Sequence, residues 1–273
     1  MEKLILRFLI LFFSLQFGLH GSGVPNFNDI SRSENVIFFL STPRSGANLI
    51  TGCLTIIARK PISWLQWGNE VFDSSSPYRN HPSYNRLNLP LLSHVPILYR
   101  AHDASKLKGV VSKKNKLIFS TRNPKELLFR AFYLTASPPK KPSKAFIRKF
   151  ISGYLQNFRM FHSWDPKNRY LIFYEDFINH ETLELSKILR FMGEETPYIE
   201  DFKANKEAYL KRLFESYQMQ HNVVNGGASS LQGPRAIHYT KNVPRNVLKS
   251  IDMALIKAAP LIWKKYLRRF RTP

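Results

Sequence analysis

Short, continuous apolar runs alternate along the chain with longer segments in which apolar residues recur about every 3.6 positions. Four of the short runs are followed by polar or turn-forming residues: 36–40, 97–99, 117–119 and 170–174. Such runs are typical of strands buried on both faces of a parallel sheet. The segments 145–162 and 182–192 have the spacing of amphipathic helices, and Gly193 is placed to end the second one. The alternation predicts an α/β fold in which helices flank a mostly parallel sheet.

The first residues differ in pattern from the rest of the chain. Lys3 and Arg7 precede the apolar run 8–19, which is followed by small residues at 21–23. This order is typical of a signal peptide, and the run is shorter than the roughly twenty apolar residues that span a bilayer. An amphipathic or disordered extension is the alternative. We therefore predict a signal-like or membrane-tether segment at 1–23 and a single folded domain at 33–273.

The composition is that of a folded, strongly cationic protein. Of 273 residues, 44% are hydrophobic and 14% aromatic, so a disordered or collagen-like chain is excluded. A single cysteine, Cys53, excludes an internal disulfide framework and a thiolate-only zinc site. Lys and Arg number 41 against 19 Asp and Glu, which gives a net charge of +22. Such a surface concentrates anions, whether nucleic acid, acidic lipid, sulfated glycan or a polyphosphorylated small molecule.

The cations are concentrated in two regions. Residues 106–169 include sixteen Lys or Arg and two acids, and 257–271 include no acid. Apolar residues of the second region fit one helical face: Leu261, Ile262, Tyr266, Leu267 and Phe270. Either the last helix packs on the core beneath a solvated cationic rim, or this surface recruits an anionic acceptor or an anionic membrane.

A polar, glycine-containing loop follows the first apolar run and leads into a helical segment. A strand, a short loop and a helix N-terminus together offer unbonded amides and the helix dipole to an anion. The Walker pattern is absent because no Gly-Lys-Ser/Thr follows, and an ordinary strand-to-helix turn is the alternative. The candidate anion-binding residues are Pro43, Arg44, Ser45, Gly46, Ala47 and Asn48.

A second basic site follows the run at 117–119. Asn123 is a good N-cap, Pro124 fits the first helical position, and Glu126 stands at the capping-box position. Arg122 therefore lies at a strand end beside a helix N-terminus, and Arg130 follows a little over two helical turns later. Guanidinium groups bind phosphate through paired N–H donors. A surface arginine paired with an acid is the alternative for Arg122.

These two loops, in this order, resemble the motifs of the sulfotransferase family. The segment 41–46 resembles the 5′-phosphosulfate loop of that family, and 122–130 resembles its 3′-phosphate element. The segment 170–177, with its Tyr-Glu-Asp, and the helix that ends at Gly193 are also similar to family elements. The resemblance extends over about 35–193 and implies the P-loop-like sulfotransferase fold.

The resemblance also implies a reaction and its donor substrate. The donor would be 3′-phosphoadenosine 5′-phosphosulfate (PAPS), with no metal. The acceptor would be a hydroxyl or amine on a small molecule or glycan. Arg44 matches a position at which the family usually has a Lys, which stabilises negative charge on the departing phosphate. Arginine keeps the charge and the donors at this position.

The resemblance implies a catalytic base as well. Arg100-Ala101-His102 resembles the basic-x-His segment of the family, in which the histidine takes the proton of the acceptor. Arg100 would then be a second transition-state cation or would bind an acidic acceptor. Glu70 is the alternative base, since some related enzymes use a carboxylate.

The chain departs from the family pattern at several positions that bind the donor. Arg130 stands where the family has a Ser, and Leu49 stands where cytosolic members often have a Trp that stacks on adenine. Tyr174 matches a position that contacts adenine. Arg235, in a Gly/Ser-rich region, is the candidate for the family's C-terminal segment that closes on the 3′-phosphate.

Two other functions are alternatives. A P-loop kinase-like phosphotransferase would share the fold class, but the chain lacks the Walker Lys-Ser/Thr and an obvious magnesium-binding Asp pair. A non-catalytic basic membrane or nucleic-acid-binding protein would account for the charge. No recognition-helix, zinc or aromatic-basic RNA motif indicates specific nucleic-acid binding. The sequence predicts a protein that is membrane-associated or exported through its N-terminal segment, with a cytoplasmic location as the alternative.

Overall fold

The computed structural model describes residues 35–43, 45–60, 62–64, 97–110, 114–133, 142–194, 198–213, 215 and 239–273. The signal-like segment 1–23 and the start of the domain predicted at 33 lie outside these ranges. Among the helices within them, none has the length and hydropathy needed to cross a bilayer.

The described residues form one five-stranded sheet with the order β2-β3-β1-β4-β5. Its strands are β1 (Ile37–Ser41), β2 (Ile62–Trp64), β3 (Leu98–Ala101), β4 (Lys116–Thr121) and β5 (Arg169–Phe173). Every neighbouring pair is parallel, and Ser41 at the end of β1 lies opposite Ser120 in β4. The predicted parallel α/β sheet is confirmed, and all five strands end at the same edge.

Helices connect and follow the strands. They are α1 (Ala47–Ala58), α2 (Pro124–Tyr133), α3 (Lys144–Ser163), α4 (Tyr174–Asn179), α5 (Glu181–Met192), α6 (Ile199–Ala204), α7 (Arg245–Ala258) and α8 (Pro260–Ile262). Residues 206–213 are also helical. The chain continues from α8 as a π-helical turn, Trp263–Leu267, and a 3₁₀ turn, Arg268–Phe270.

Two hydrophobic layers enclose the sheet, one on each face. Phe39 of β1 packs in a cluster with residues of α1 and α5, whereas its neighbours Phe38 and Leu40 pack in a second cluster with α2, α3 and α7. All three side chains are fully buried. Successive strand residues point to opposite faces, so a strand covered on both sides needs a continuous apolar run.

Two helix boundaries show where the local sequence predicts the start or end of a helix correctly and where it does not. Gly193 ends α5 in the left-handed conformation with φ +80°, as predicted. Tyr174, which the sequence predicts at the end of a strand, instead begins α4 directly after Phe173. The strand run and the helix are continuous in sequence with no turn residue between them, so the apolar pattern alone extends the strand too far.

Four of the five apolar residues that the sequence places on one helical face of 257–271 pack in the second core cluster, but they do so from an irregular helix and the fifth does not. Helix α7 ends at Ala258, and the π-helical turn brings Ile262 and Leu267 together in the core. Leu261 is 75% exposed. The break after α7 and the wider turn change the angular spacing of the side chains, so one helical period cannot place all of them.

Candidate functional site

The site residues lie where the connections of the sheet change direction. From β1 the chain goes to β2 and β3 on one side, and from β4 it goes to β5 on the other. In open parallel sheets, ligands bind in the crevice at the carboxyl ends of the two strands that flank this point. The loop after β1 and the loop after β4 both open here.

The loop after β1 is hydrogen-bonded to the end of β4. The amide of Thr42 donates to the Ser120 carbonyl over 3.0 Å, and its hydroxyl donates to Thr121 Oγ1 over 2.9 Å. The buried Ser45 hydroxyl donates to the same Ser120 carbonyl over 3.2 Å, and the Ser45 amide donates to the Thr42 carbonyl over 3.1 Å. Ser45 therefore supports the loop from beneath, while Pro43 is exposed at its outer side.

Gly46 makes the closest approach in the site. It has φ +78°, and a Cβ atom built on it would lie 2.2 Å from Cδ2 of Tyr174. Only glycine fits this position, because any other residue would be both strained in its backbone and in collision with the tyrosine ring. The contact fixes the start of α1 against the start of α4, two segments that the sequence predicts to bind one donor molecule.

The N-terminus of α1 is available to an anion. Gly46 is its N-cap and supplies no side-chain hydrogen bond, so the amides of the first turn, from Ala47 onwards, have no acceptor within the helix. Ala47 is buried and Asn48 half-buried. Leu49 is also buried, in the core, and is therefore not placed to stack on an adenine. Arg44 lies outside the described residues.

Arg122 is buried at the end of β4 and contacts two consecutive residues of α4. Its guanidinium carbon lies 4.8 Å from the centroid of the Tyr174 ring, and its Nε lies 3.6 Å from Glu175 Oε1. Nε makes no hydrogen bond within the described part of the chain. Burial raises the pKa of Glu175, although the Asn123 amide and Arg122 both favour its charged form. The buried guanidinium is held by a ring face and one carboxylate oxygen.

The N-cap of α2 is confirmed, but its capping box is wrong. The Asn123 side chain accepts a hydrogen bond from the Lys125 amide over 3.0 Å. The Asn123 amide donates to Glu175 rather than to Glu126. Glu126 instead accepts from the Tyr239 amide over 2.8 Å, because two backbone amides from a segment distant in sequence approach it. Local spacing cannot reveal such a partner.

Arg130 lies on α2, a little over two helical turns after Arg122, and its charge acts on Tyr174. Burial raises the pKa of Tyr174, whereas the positive charges of Arg122 and Arg130 oppose that rise. Arg130 also lies 5.8 Å from the centroid of the Tyr239 ring. Arg235 is outside the described residues. It precedes Tyr239 by four residues, a distance of at most about 14 Å along the chain.

The strand end of β3 carries the candidate base. Nδ1 of His102 lies 2.8 Å from the Ser41 hydroxyl and 3.3 Å from the Ser41 carbonyl oxygen, both at the end of β1. Nε2 lies 3.4 Å from a terminal nitrogen of Arg100. Arg100 is buried and also donates a hydrogen bond to the Asn48 side chain. Arg100, His102 and the first turn of α1 thus lie together. Glu70 is outside the described residues.

These contacts favour one tautomer of His102. A carbonyl oxygen only accepts hydrogen bonds, so Nδ1 carries the proton that faces Ser41. A guanidinium only donates, so Nε2 presents its lone pair to Arg100. In this tautomer the unprotonated nitrogen lies beside a fixed positive charge. Ser41 is a residue that sequence reasoning missed, since only the pairing of β1 with β3 places it next to His102.

Comparisons with known proteins agree with this architecture. No protein-family model matches the chain. Human Sulfotransferase 2A1 is 27% identical over 178 residues, which cover 60% of this chain and 61% of that protein. Sulfotransferase 2A6 of Rattus norvegicus is 26% identical over 174 residues, 59% of this chain and 60% of that protein. The chain thus spans about three fifths of the length of the curated relatives it matches.

Solved structures give the same result for the fold. Mouse sulfotransferase SULT7A1 complexed with PAP superposes with a TM-score of 0.53 at 18% identity, covering 86% of this chain and 90% of that chain. Retinol dehydratase in a complex with retinol and PAP gives a TM-score of 0.51 at 15% identity, with coverages of 82% and 80%. The predicted resemblance is confirmed: this chain has the P-loop-like fold of the sulfotransferases and is similar to them in sequence.

Proposed function

We propose that this protein is a sulfotransferase that moves a sulfuryl group from PAPS to a hydroxyl or amine acceptor. The observation that carries the proposal is the meeting of three features at one sheet edge. They are the uncapped N-terminus of α1, the Arg122–Tyr174 pair and the oriented imidazole of His102. The sulfotransferases that resemble the chain and the PAP in two structural neighbours support it.

The described residues fit such a donor. The N-terminus of α1 suits a 5′-phosphate, since the positive end of the helix dipole favours an anion. Arg122 is buried with an Nε that makes no hydrogen bond among the described residues, and it suits the 3′-phosphate together with Arg130. Tyr174 would contact the adenine side. Arg235 would bind the same phosphate, as the resemblance implies.

The residues near His102 provide the acceptor chemistry. His102 accepts at Nε2 the proton of the attacking hydroxyl or amine. As the new bond to sulfur forms, the bond from sulfur to the bridging phosphate oxygen breaks, and that oxygen leaves with the electron pair. Arg100 and Arg44 stabilise the negative charge that builds up there. Arg100 acts from its position between His102 and the N-terminal turn of α1.

Nucleotide selectivity tests the donor site without any acceptor. The 3′,5′-bisphosphate of adenosine should raise the melting temperature of the protein more than adenosine 5′-phosphate does. Arg122→Ala should remove most of that difference, whereas Arg190→Ala, which changes an exposed arginine on α5, should retain it. Equal stabilisation by the two nucleotides would refute the 3′-phosphate role of Arg122. Stabilisation by ATP alone would instead favour the kinase-like phosphotransferase.

We further propose that the segment 1–23 attaches the protein to a membrane. Its basic, apolar and small-residue order supports this location. Membrane fractionation of the full-length protein beside a variant that lacks 1–23 tests it. The full-length protein should be enriched in the membrane fraction relative to the truncated one. Recovery of the full-length protein wholly in the soluble cytosol would contradict it.

A further inference from the structure

Two helical segments form an exterior surface without an exposed acid. Helix α3 contains no Asp or Glu, and the segment 245–271 contains one, Asp252. That carboxylate is buried and accepts a hydrogen bond from Lys125 over 2.8 Å. The exposed residues of α3 and of 245–271, called the acid-free face below, therefore include no acidic side chain, and among their cations Arg269 is paired with Asp176 of α4.

The two segments are continuous at the surface. The Tyr266 ring, in the π-helical turn, packs 5.7 Å from Phe158 and 5.9 Å from Phe161 of α3. Its hydroxyl lies 3.4 Å from Nδ1 of the exposed His162, and Nζ of Lys265 lies 5.3 Å from its ring centroid. The C-terminal turns therefore adjoin the end of α3, and both bury their apolar sides in the same core cluster.

Cations and apolar side chains are interspersed on this face. Lys249, Met253 and Lys257 follow each other at four-residue spacing on the outer side of α7. Met253 is 64% exposed and Leu261 is 75% exposed. Within the described residues, a third large apolar side chain, Leu183, is 54% exposed, and it lies on α5. Leu261 is followed at three and four residues by the exposed Lys264 and Lys265.

The combination identifies the chemistry of the partner. A sulfated glycan or nucleic acid would neutralise the cations but would give Met253 and Leu261 no apolar partner. An anionic bilayer provides both, since headgroups attract Lys and Arg while apolar side chains enter the acyl boundary. We infer that the acid-free face docks the protein on an anionic lipid bilayer, with Met253 and Leu261 inserted. This inference does not depend on the proposed reaction.

Vesicle sedimentation of the full chain tests the docking. Wild-type protein should bind phosphatidylcholine vesicles that contain phosphatidylserine far more tightly than vesicles of phosphatidylcholine alone. Lys257→Gln should weaken that binding by about fivefold. Met253→Ser combined with Leu261→Ser should weaken it by roughly tenfold or more. Leu183→Ser, which removes an exposed leucine outside the face, is the control and should bind as the wild type does.

The outcomes separate the alternatives. All the substituted side chains are exposed, and unchanged melting temperatures would verify that the variants fold. Equal binding by the wild type and the Met253/Leu261 double variant would overturn the inference. Binding to heparin without binding to anionic vesicles would overturn it in favour of a polyanion surface.

Discussion

The Ser41 hydroxyl lies 2.8 Å from Nδ1 of His102, and it joins the carboxyl ends of β1 and β3. Nε2 of the same ring lies beside Arg100. Together with the Ser41 carbonyl oxygen 3.3 Å from Nδ1, this relationship favours a proton on Nδ1, and it leaves Nε2 next to a cation that also contacts the first turn of α1. The strand end of β1 thus contributes both to the loop that we propose binds the donor and to the orientation of the proposed base.

Ser41→Ala should disturb the imidazole without unfolding the protein. The variant removes the shortest contact at Nδ1, so nitrogen NMR of labelled histidine should show more of the Nε2–H form than in the wild type. Turnover should fall by a factor of about 2–10, the usual value of one neutral hydrogen bond. Nucleotide affinity should be unchanged.

Thr55→Val is the control for Ser41→Ala, because it removes a buried hydroxyl of α1 that makes no hydrogen bond among the described residues. It should leave the histidine spectrum unaltered. A wild-type spectrum that shows His102 mainly as the Nε2–H tautomer would contradict the assignment.

Gly46→Ala should destabilise the protein more than an ordinary glycine substitution does. The new Cβ would meet Tyr174 at 2.2 Å in a backbone conformation that alanine rarely adopts, so the free energy of unfolding should fall by more than about 1 kcal/mol. Gly153→Ala is the control: nothing lies within 4 Å of its Cβ in the helix α3, and it should stabilise by up to about 1 kcal/mol. Equal effects in denaturant unfolding would disprove the steric account.

The buried pair of Lys125 and Asp252 should anchor the C-terminal segment to α2. Their side chains are 5% and 6% exposed, and Asp252 also accepts the Thr272 amide over 2.8 Å. Lys125→Met leaves a carboxylate buried without its cation, which should cost about 3–5 kcal/mol of unfolding free energy. Adding Asp252→Leu should recover part of that loss.

Lys203→Met breaks an exposed pair with Glu200 and serves as the comparison in the same denaturant titrations. It should cost less than about 1 kcal/mol. A loss for Lys125→Met no larger than that of Lys203→Met would show that the buried pair does not hold the segment.

A hydrogen bond from the Tyr209 hydroxyl lowers the pKa of Asp201, with the Arg59 charge adding to the effect. A carboxylate with a lowered pKa stabilises the fold above its unfolded pKa, and that stabilisation is lost as the pH falls through the folded value. Tyr209→Phe should therefore lower the unfolding free energy at pH 7. Its difference from the wild type should shrink as the pH falls below about 4.

Tyr198→Phe keeps the ring that the Arg59 guanidinium covers at 4.5 Å and is the control for this pH dependence. Its effect on stability should not vary with pH. A constant difference between Tyr209→Phe and the wild type over the acid range would rule out the hydrogen bond as the cause.

Sequence patterns predict the sheet and much of the site because those features are local. Buried parallel strands require continuous apolar runs, and a helix that ends in the left-handed conformation favours Gly193. The three-residue strand β2 is too short to give such a signal. The Ser41–His102 and Glu126–Tyr239 contacts join segments that are distant in sequence, so the pattern of residues along the chain does not reveal them. The site residues were therefore more predictable than the contacts that orient them.

Transfer of labelled sulfuryl from PAPS to a panel of hydroxyl and amine acceptors tests the central claim most directly. The wild type should transfer the label, and His102→Ala should lower turnover by about 10²–10⁴-fold while binding 3′-phosphoadenosine 5′-phosphate as the wild type does. Arg190→Ala should match the wild type in both measurements. If His102→Ala transfers the label undiminished and Glu70→Gln does not transfer it, Glu70 is the base. If the wild type neither transfers the label nor hydrolyses the donor, the proposed reaction is contradicted.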